Sequence, residues 1–152
     1  MRQICYDLTD WVSKHGGTER PKGFPNCKQE DLPFRVRSTS ITPIEGHWKG
    51  SGDILWRPDI RFYFRVEAKC VEGWSFDQCL NENWPIGKWW GQAQEQAREA
   101  GVRPLLIFTR NRQPTWAATR WRDTPQGVFT HCVRAGDLAI WPWVARDALD
   151  PF

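Results

Sequence analysis

The chain has 152 residues, enough for one domain with a proper core and short for two. Its 21 Lys and Arg against 18 Asp and Glu leave a net charge of +3, which excludes a polycationic tail. Any surface for nucleic acid would have to concentrate that charge locally. No stretch approaches the roughly 18 apolar residues of a membrane span, and Met1-Arg2-Gln3 leads into no signal-peptide core. The five cysteines (Cys5, Cys27, Cys70, Cys79, Cys132) are odd in number and irregularly spaced, without a Cys-x-x-Cys. Free thiols in a reducing cytoplasm are therefore expected, and a structural zinc is not. Eleven tryptophans are unusual at this length. They either fill a small core with large rings or stack on exposed bases, and the core is the first expectation.

In chain order, Tyr6 to His15 suits a short helix with Leu8, Trp11 and Val12 on one stripe and Gly16-Gly17 ending it. Gly16 to Pro33 is polar and broken by prolines, an irregular arm with a turn at Lys28 to Asp31. Phe34 to Thr42 alternates weakly and reads as the first strand. From Gly50 to Lys69, GSGDILWRPDIRFYFRVEAK reads as two short strands joined at Pro58-Asp59. Within Ile60 to Lys69, Phe62, Phe64, Val66 and Ala68 share one face, and Tyr63, Arg65, Glu67 and Lys69 the other. If the two strands ladder as a hairpin, Asp53 approaches Glu67, and two carboxylates and an ammonium meet. That combination makes a metal site with a water-activating lysine. The bland alternative is a surface Glu67–Lys69 pair worth under about 1 kcal/mol.

Cys70 to Pro85 lacks clear periodicity, apart from a helical turn at Phe76 to Leu80. Ile86 to Ala100 is the best helix: Ile86, Trp89, Trp90, Ala93, Ala97 and Ala100 form one stripe, with Gly101 as the stop. Gln92, Gln96 and Glu99 form a polar stripe beside it. Leu105 to Phe108 is an apolar run typical of a strand buried on both faces. Arg110, Asn111 and Arg112 follow it and are candidates for phosphate contacts, with Lys49, Arg57, Lys88 and the hydroxyl of Ser51 as possible extensions. Trp116 to Thr119 and Val128 to Val133 are further strand candidates. Gly136 to Phe152 reads as an edge element plus a short helix starting near Asp137 or Val144.

The succession GSGDILW, VEAK, GQAQEQAREAG and PLLIFTRNRQPTW, between about Ser51 and Trp116, resembles the PD-(D/E)xK nuclease superfamily. It looks most like the archaeal-type and phage Holliday junction resolvases. The resemblance implies an α/β protein: one domain over 1–152 with a restriction-endonuclease-like α-β-β-β-α-β core and a mixed sheet flanked by helices. Residues 1–33 would be a helix plus arm, 34–116 the core, and 117–152 a C-terminal strand and helix. It further implies a Mg2+-dependent (or Mn2+-dependent) endonuclease acting on branched DNA as a homodimer, in the cytoplasm of a bacterial or phage-infected cell. The alternatives are a duplex nicking or restriction-type nuclease, and a catalytically weak or inactive DNA-binding or protein-interaction module.

By the same resemblance, Asp53 and Glu67 are metal ligands together with the Ala68 carbonyl, and Lys69 positions or deprotonates the attacking water. Gln92 or Gln96 serves the site from the second helix, and Gln92 is favoured if the N-terminal half of that helix lies nearest the metal. Pro58-Asp59 matches the family motif literally. Yet eight extended residues separate Asp59 from Glu67, roughly 25 Å at about 3.3 Å each, so Asp53 is the better first acid. The acid that many relatives carry on the first helix has no clean counterpart among Asp7, Asp10, Glu19 and Glu30.

Overall fold

A computed structural model describes residues 2–37, 48, 52–75, 84–124 and 132–152. Its elements follow the expected order of helix, three strands, helix and strand. They are α1 (Arg2–Lys14), β1 (Phe34–Val36), β2 (Ile54–Trp56), β3 (Phe64–Cys70), α2 (Pro85–Ala100) and β4 (Arg103–Thr109). Three more strands come after: β5 (Trp116–Arg120), β6 (Val133–Ala135) and β7 (Leu138–Pro142). The helical turn expected at Phe76 to Leu80 lies outside the described residues.

The chain divides into two compact units, Met1–Tyr63 with Asp150–Phe152, and Phe64–Leu149. In the first, α1 buries Cys5, Leu8, Thr9, Trp11 and Val12, which recur at helical spacing. It ends where Gly16 turns left-handed at φ 76°, a conformation that costs glycine nothing. β1 and β2 form an antiparallel pair, with Phe34 opposite Trp56 and Val36 opposite Ile54. The Phe62 ring packs edge-on against Trp11, Phe34 and Trp56, with centroids 6.0, 5.2 and 5.2 Å away. Such edge-to-face contacts add to the area that the rings bury.

Among the described residues, the hairpin expected from Gly50 to Lys69 is not formed as a ladder. The turn at Pro58-Asp59 is present, closed by Ile60 N–H to the Arg57 carbonyl at 3.1 Å. Beyond it, the Arg61 amide donates to Gly17 and the Tyr63 amide to Pro151, both at 3.3 Å. Donors that would have paired with β2 are spent elsewhere, and β2 pairs with β1 instead. β3 accordingly starts at Phe64 rather than near Ile60. β1 spans Phe34–Val36, and residues 38–42 of the strand expected there lie outside the described residues.

The second unit holds a five-stranded mixed sheet in the order β3-β4-β5-β7-β6. β3 and β4 run parallel, Phe64 beside Arg103 through Cys70 beside Thr109, and every other pair is antiparallel. A parallel pair needs a crossover, and α2 supplies it. Pro85 opens the helix where a missing N–H costs little, and Gly101 caps it at φ 68°. β4 is buried from Pro104 to Phe108, as its unbroken apolar run requires.

Of the strand expected at Val128 to Val133, residues 128–131 lie outside the described ones, and β6 begins at Val133. One C-terminal expectation is corrected. The element after Gly136 is β7, which is not an edge but sits between β5 and β6, followed by a 3-10 helix at Trp143–Ala148. Within β7 the buried Trp141 indole N–H finds its partner on β5. It donates to Thr119 Oγ1 at 3.0 Å, and Thr119 in turn shares a 2.8 Å bond with Thr124. Seven tryptophans are buried and the other four half-buried, so core filling accounts for the rings better than base stacking does.

The four described cysteines are free thiols. Burial pushes the Cys5 thiol up to about 11 from 9.0, whereas Cys70 is exposed. Peptide-resolved alkylation of the folded protein at neutral pH should therefore modify Cys70 well before Cys5. Because the folded state disfavours the Cys5 thiolate, the unfolded state holds fewer protons between pH 9 and 11. The contribution of that neutral thiol to stability is then complete below pH 9 and lost as pH climbs towards 11. Denaturant midpoints for wild type and Cys5→Ala should converge over that range.

Candidate active site

The chemistry starts from the alternation along β3. Phe64, Val66 and Ala68 point to one face, and Arg65, Glu67 and Lys69 to the other. Parallel neighbours in register share a face, so Glu67 lies with Leu106 and Lys69 with Phe108. Leu106 and Phe108 belong to the cluster formed with Ile86, Trp90 and Ala93 of α2. Glu67 and Lys69 are therefore on the helix-covered face of the sheet, at its edge strand. Lys69 Nζ donates to Glu67 Oε1 at 2.9 Å. The Glu67 side chain is 8% exposed and that of Lys69 25%. This is not the solvated surface pair of the bland reading. A carboxylate taken this far from water is costly unless paired, and here a single ammonium stands beside it.

Helix α2 runs back from the carboxyl end of β3 to the start of β4, because Gly101 precedes Arg103 and Arg103 pairs with Phe64. Its N-terminal half is thus the end level with Lys69 and Cys70, the sense assumed when Gln92 was favoured. Gln92 itself is exposed. Gln96 is half-buried, with its Oε1 buried and lacking a hydrogen-bond partner among the described residues. Four residues advance a helix by about 400°, so Gln96 is turned roughly 40° closer to the sheet than Gln92.

Asp53 directly precedes β2 and is half-buried; its carbonyl accepts the Arg37 amide at 2.8 Å. Asp59 is exposed at the turn, 3.3 Å from Arg57 Nε. Of the first-helix acids, Asp10 is engaged by Lys14 at 2.8 Å and Arg20 at 2.9 Å, and Asp7 accepts from Gln3 at 3.0 Å. Glu19 is exposed in the loop, and Glu30 lies 3.7 Å from Lys28 in a 3-10 turn. Among the described residues no group of three or more His, Cys, Asp or Glu side chains gathers as a ready cation cage.

The candidate DNA contacts separate by environment. Lys49 and Ser51 lie outside the described residues. Arg57 is occupied with Asp59, and Lys88 is exposed on the first turn of α2. Arg110 is turned inward: Nη1 donates to the Trp74 carbonyl at 2.7 Å and the guanidinium sits 5.0 Å from the Trp74 ring centroid. The Asn111 amide donates to Glu72 Oε1 at 2.7 Å, while Arg112 is exposed. Glu72 and Trp74 were not singled out from the sequence. Their partners are 39 and 36 residues away, and no local pattern encodes such a pairing.

Among the described residues, the Glu67 carboxylate and the Ala68 carbonyl on β3 and the Gln96 amide on α2 are oxygen donors. All are hard donors suited to magnesium or manganese rather than to zinc. A cation that keeps most of its water and binds substrate phosphate needs only one or two protein carboxylates. No curated protein and no solved structure matches the chain significantly. The family model for phage putative PDDEXK endonucleases, however, matches residues 35–131, which hold Asp53, Glu67, Lys69 and both glutamines. The chain belongs to that PD-(D/E)xK endonuclease family of phages.

Proposed function

We propose that this protein is a magnesium-dependent endodeoxyribonuclease that cuts branched DNA, in the manner of a Holliday junction resolvase, during phage DNA processing. The observation that carries this reading is the Glu67–Lys69 pair, withdrawn from solvent on the helix-covered face of an edge strand. A stability role explains it poorly, since a surface ion pair contributes under about 1 kcal/mol and a buried one is often neutral.

Hydrolysis adds water across a phosphorus–oxygen bond, so the nucleophile loses a proton and the departing oxygen gains one. In this reading Asp53, Glu67 and the Ala68 carbonyl would be the ligands of a magnesium ion, which would supply charge neutralisation at the phosphate and a more acidic water. The Lys69 ammonium orients the attacking water and offsets the charge that develops on the phosphate oxygens. Glu67 fixes Lys69 in that position through the 2.9 Å contact. Gln96, rather than Gln92, supplies the helix contribution. Its amide oxygen is a buried acceptor without a partner among the described residues, and helix side chains lean towards the N-terminus, here the Lys69 end. A right-handed crossover, the near-universal hand, puts this flank of α2 on the β3 side.

Symmetric cleavage of a four-way junction requires two active centres, and a two-fold homodimer of this single nuclease-like domain provides them. Such a protein works in the cytoplasm of the infected cell; no described helix is long and apolar enough to cross a membrane. The deciding experiment incubates the protein with a labelled four-way junction and with matched duplex, in magnesium and in chelator. Paired nicks near the branch point, absent with chelator, are expected. Equal cutting of the duplex would instead point to a nicking or restriction-type enzyme, and tight junction binding without cutting to a binding module.

Asp53→Asn and Lys69→Ala should differ in kind. The first removes a ligand charge, so cleavage and magnesium affinity should fall together while the fold and DNA binding remain. The second should lower the single-turnover rate by about 10²-fold or more with little change in DNA affinity, because the ammonium acts mainly in the transition state. Unchanged magnesium affinity in Asp53→Asn, measured by calorimetry, would remove Asp53 from the site.

For the glutamines, Gln96→Ala should lose most single-turnover activity and Gln92→Ala little. The opposite ranking would mean that the exposed face of α2 meets the substrate.

A further inference from the structure

The turn between β4 and β5 is built unlike an ordinary surface loop. It leaves the sheet at the carboxyl end of the parallel pair, where Lys69 lies beside Phe108 and Cys70 beside Thr109. Four contacts bind it to the segment that follows β3. The Val71 amide donates to Thr109 at 3.2 Å and the Asn111 amide to Glu72 at 2.7 Å. Arg110 both donates to the Trp74 carbonyl at 2.7 Å and covers the Trp74 ring. Trp74 is itself core, 5.1 Å from Phe108 edge to face, so the brace is anchored in the sheet. The turn closes with Gln113 N–H to Arg110 at 3.2 Å.

At the tip of this braced turn stands Arg112, the one non-glycine residue with positive φ among those described, at 60°. Side chains resist that conformation, which glycine adopts freely and asparagine tolerates. The tip therefore carries a residue that its backbone disfavours. Arg112 is exposed, and its guanidinium makes no hydrogen bond or ion pair among the described residues. No contact among the described residues rewards an arginine there. A free planar fork of donors beside the strand end that carries Lys69 suits one partner best, a phosphate of the nucleic-acid backbone.

We propose that the β4–β5 turn is a preformed arm that applies Arg112 to a backbone phosphate of DNA held at the carboxyl end of β3. In this arrangement Arg110 never touches DNA; it is a positioning residue that fixes the arm through Trp74. The proposal rests on the nuclease reading above, and refines it by giving the two arginines different tasks. An arm already rigid in the free protein loses little conformational entropy on binding, so its single contact is used efficiently.

The test is a double-mutant cycle on DNA affinity, with thermal stability measured alongside. Fluorescence anisotropy with a labelled duplex and a four-way junction, in chelator so that nothing is cut, gives affinity against salt for wild type, Arg112→Gly, Arg110→Ala and the double variant. Arg112→Gly should raise Tm by about 2–4 °C, as a relieved left-handed residue in a chain of this size would. It should also weaken binding roughly tenfold, as loss of one charge-assisted contact does, and reduce the salt slope by about 0.9. Arg112→Lys should restore part of that slope. Arg110→Ala should lower Tm and weaken binding, yet weaken it no further once Arg112 is glycine, because its effect passes through Arg112. Unchanged affinity and salt slope in Arg112→Gly would overturn the proposal, and so would additive losses, which would make Arg110 a contact in its own right. Wild-type cleavage in magnesium is run in parallel. If wild type binds and cuts DNA while Arg112→Gly behaves normally, only the arm is wrong; if wild type neither binds nor cuts, the nuclease reading falls as well.

Discussion

The parallel pairing of β3 with β4 is the constraint on which the second unit depends. All seven residues of β3 are in register with β4, and a parallel partner can be reached only by a crossover. That requirement places α2 against one face of the sheet and brings its first turn to the carboxyl end of β3. The same register puts Glu67 and Lys69 beside Leu106 and Phe108, on the face that the helix covers. Two polar residues are thereby taken out of water at the margin of an apolar layer, where a strand of ordinary alternation would have left them in solvent.

This margin explains how charge and core coexist. Ile86, Trp90 and Ala93 close over Leu106, Phe108 and Ala118, in the body of the sheet. Among the described residues β3 is the first strand of its sheet, and Lys69 keeps a quarter of its side chain in solvent. The low dielectric of the covered side strengthens the Glu67–Lys69 attraction. Gln96 lies on the flank of α2, its buried Oε1 without a hydrogen-bond partner among the described residues.

Arginine is used throughout as a packing residue. Guanidinium groups lie over Phe24, Trp48, Phe152, Phe64, Trp74, Trp121 and Trp143, at 4.1 to 5.7 Å from the ring centroids. Many rings in a small protein leave faces near the surface, and a weakly hydrated planar cation covers them at little desolvation cost. The modest net charge of +3 is thus not all available to a ligand. Arg110 is the clearest case: in sequence it belongs to a basic run, and in space it belongs to Trp74.

Much of this architecture is set by local rules that read directly from the sequence. The stripe from Ile86 to Ala97, ended by Gly101, specifies α2 because one turn of helix determines which neighbours share a face. The alternation through Phe64 to Lys69 specifies that Glu67 and Lys69 stand side by side, because a strand has a period of two. The unbroken run from Leu105 to Phe108 specifies a doubly covered strand. The motif succession specified the family and the order of elements. Tertiary structure alone decided which strands pair. Asp53 and Glu67 were expected on one hairpin, but the amides of Arg61 and Tyr63 bond to Gly17 and Pro151, far away in sequence, and β2 turns to β1 instead. Likewise, only the folded chain separates Gln96 from Gln92 by burial, or Arg110 from Arg112 by partner. Periodicity assigns a residue to a face; what lies against that face depends on contacts between distant segments, which no local spacing records.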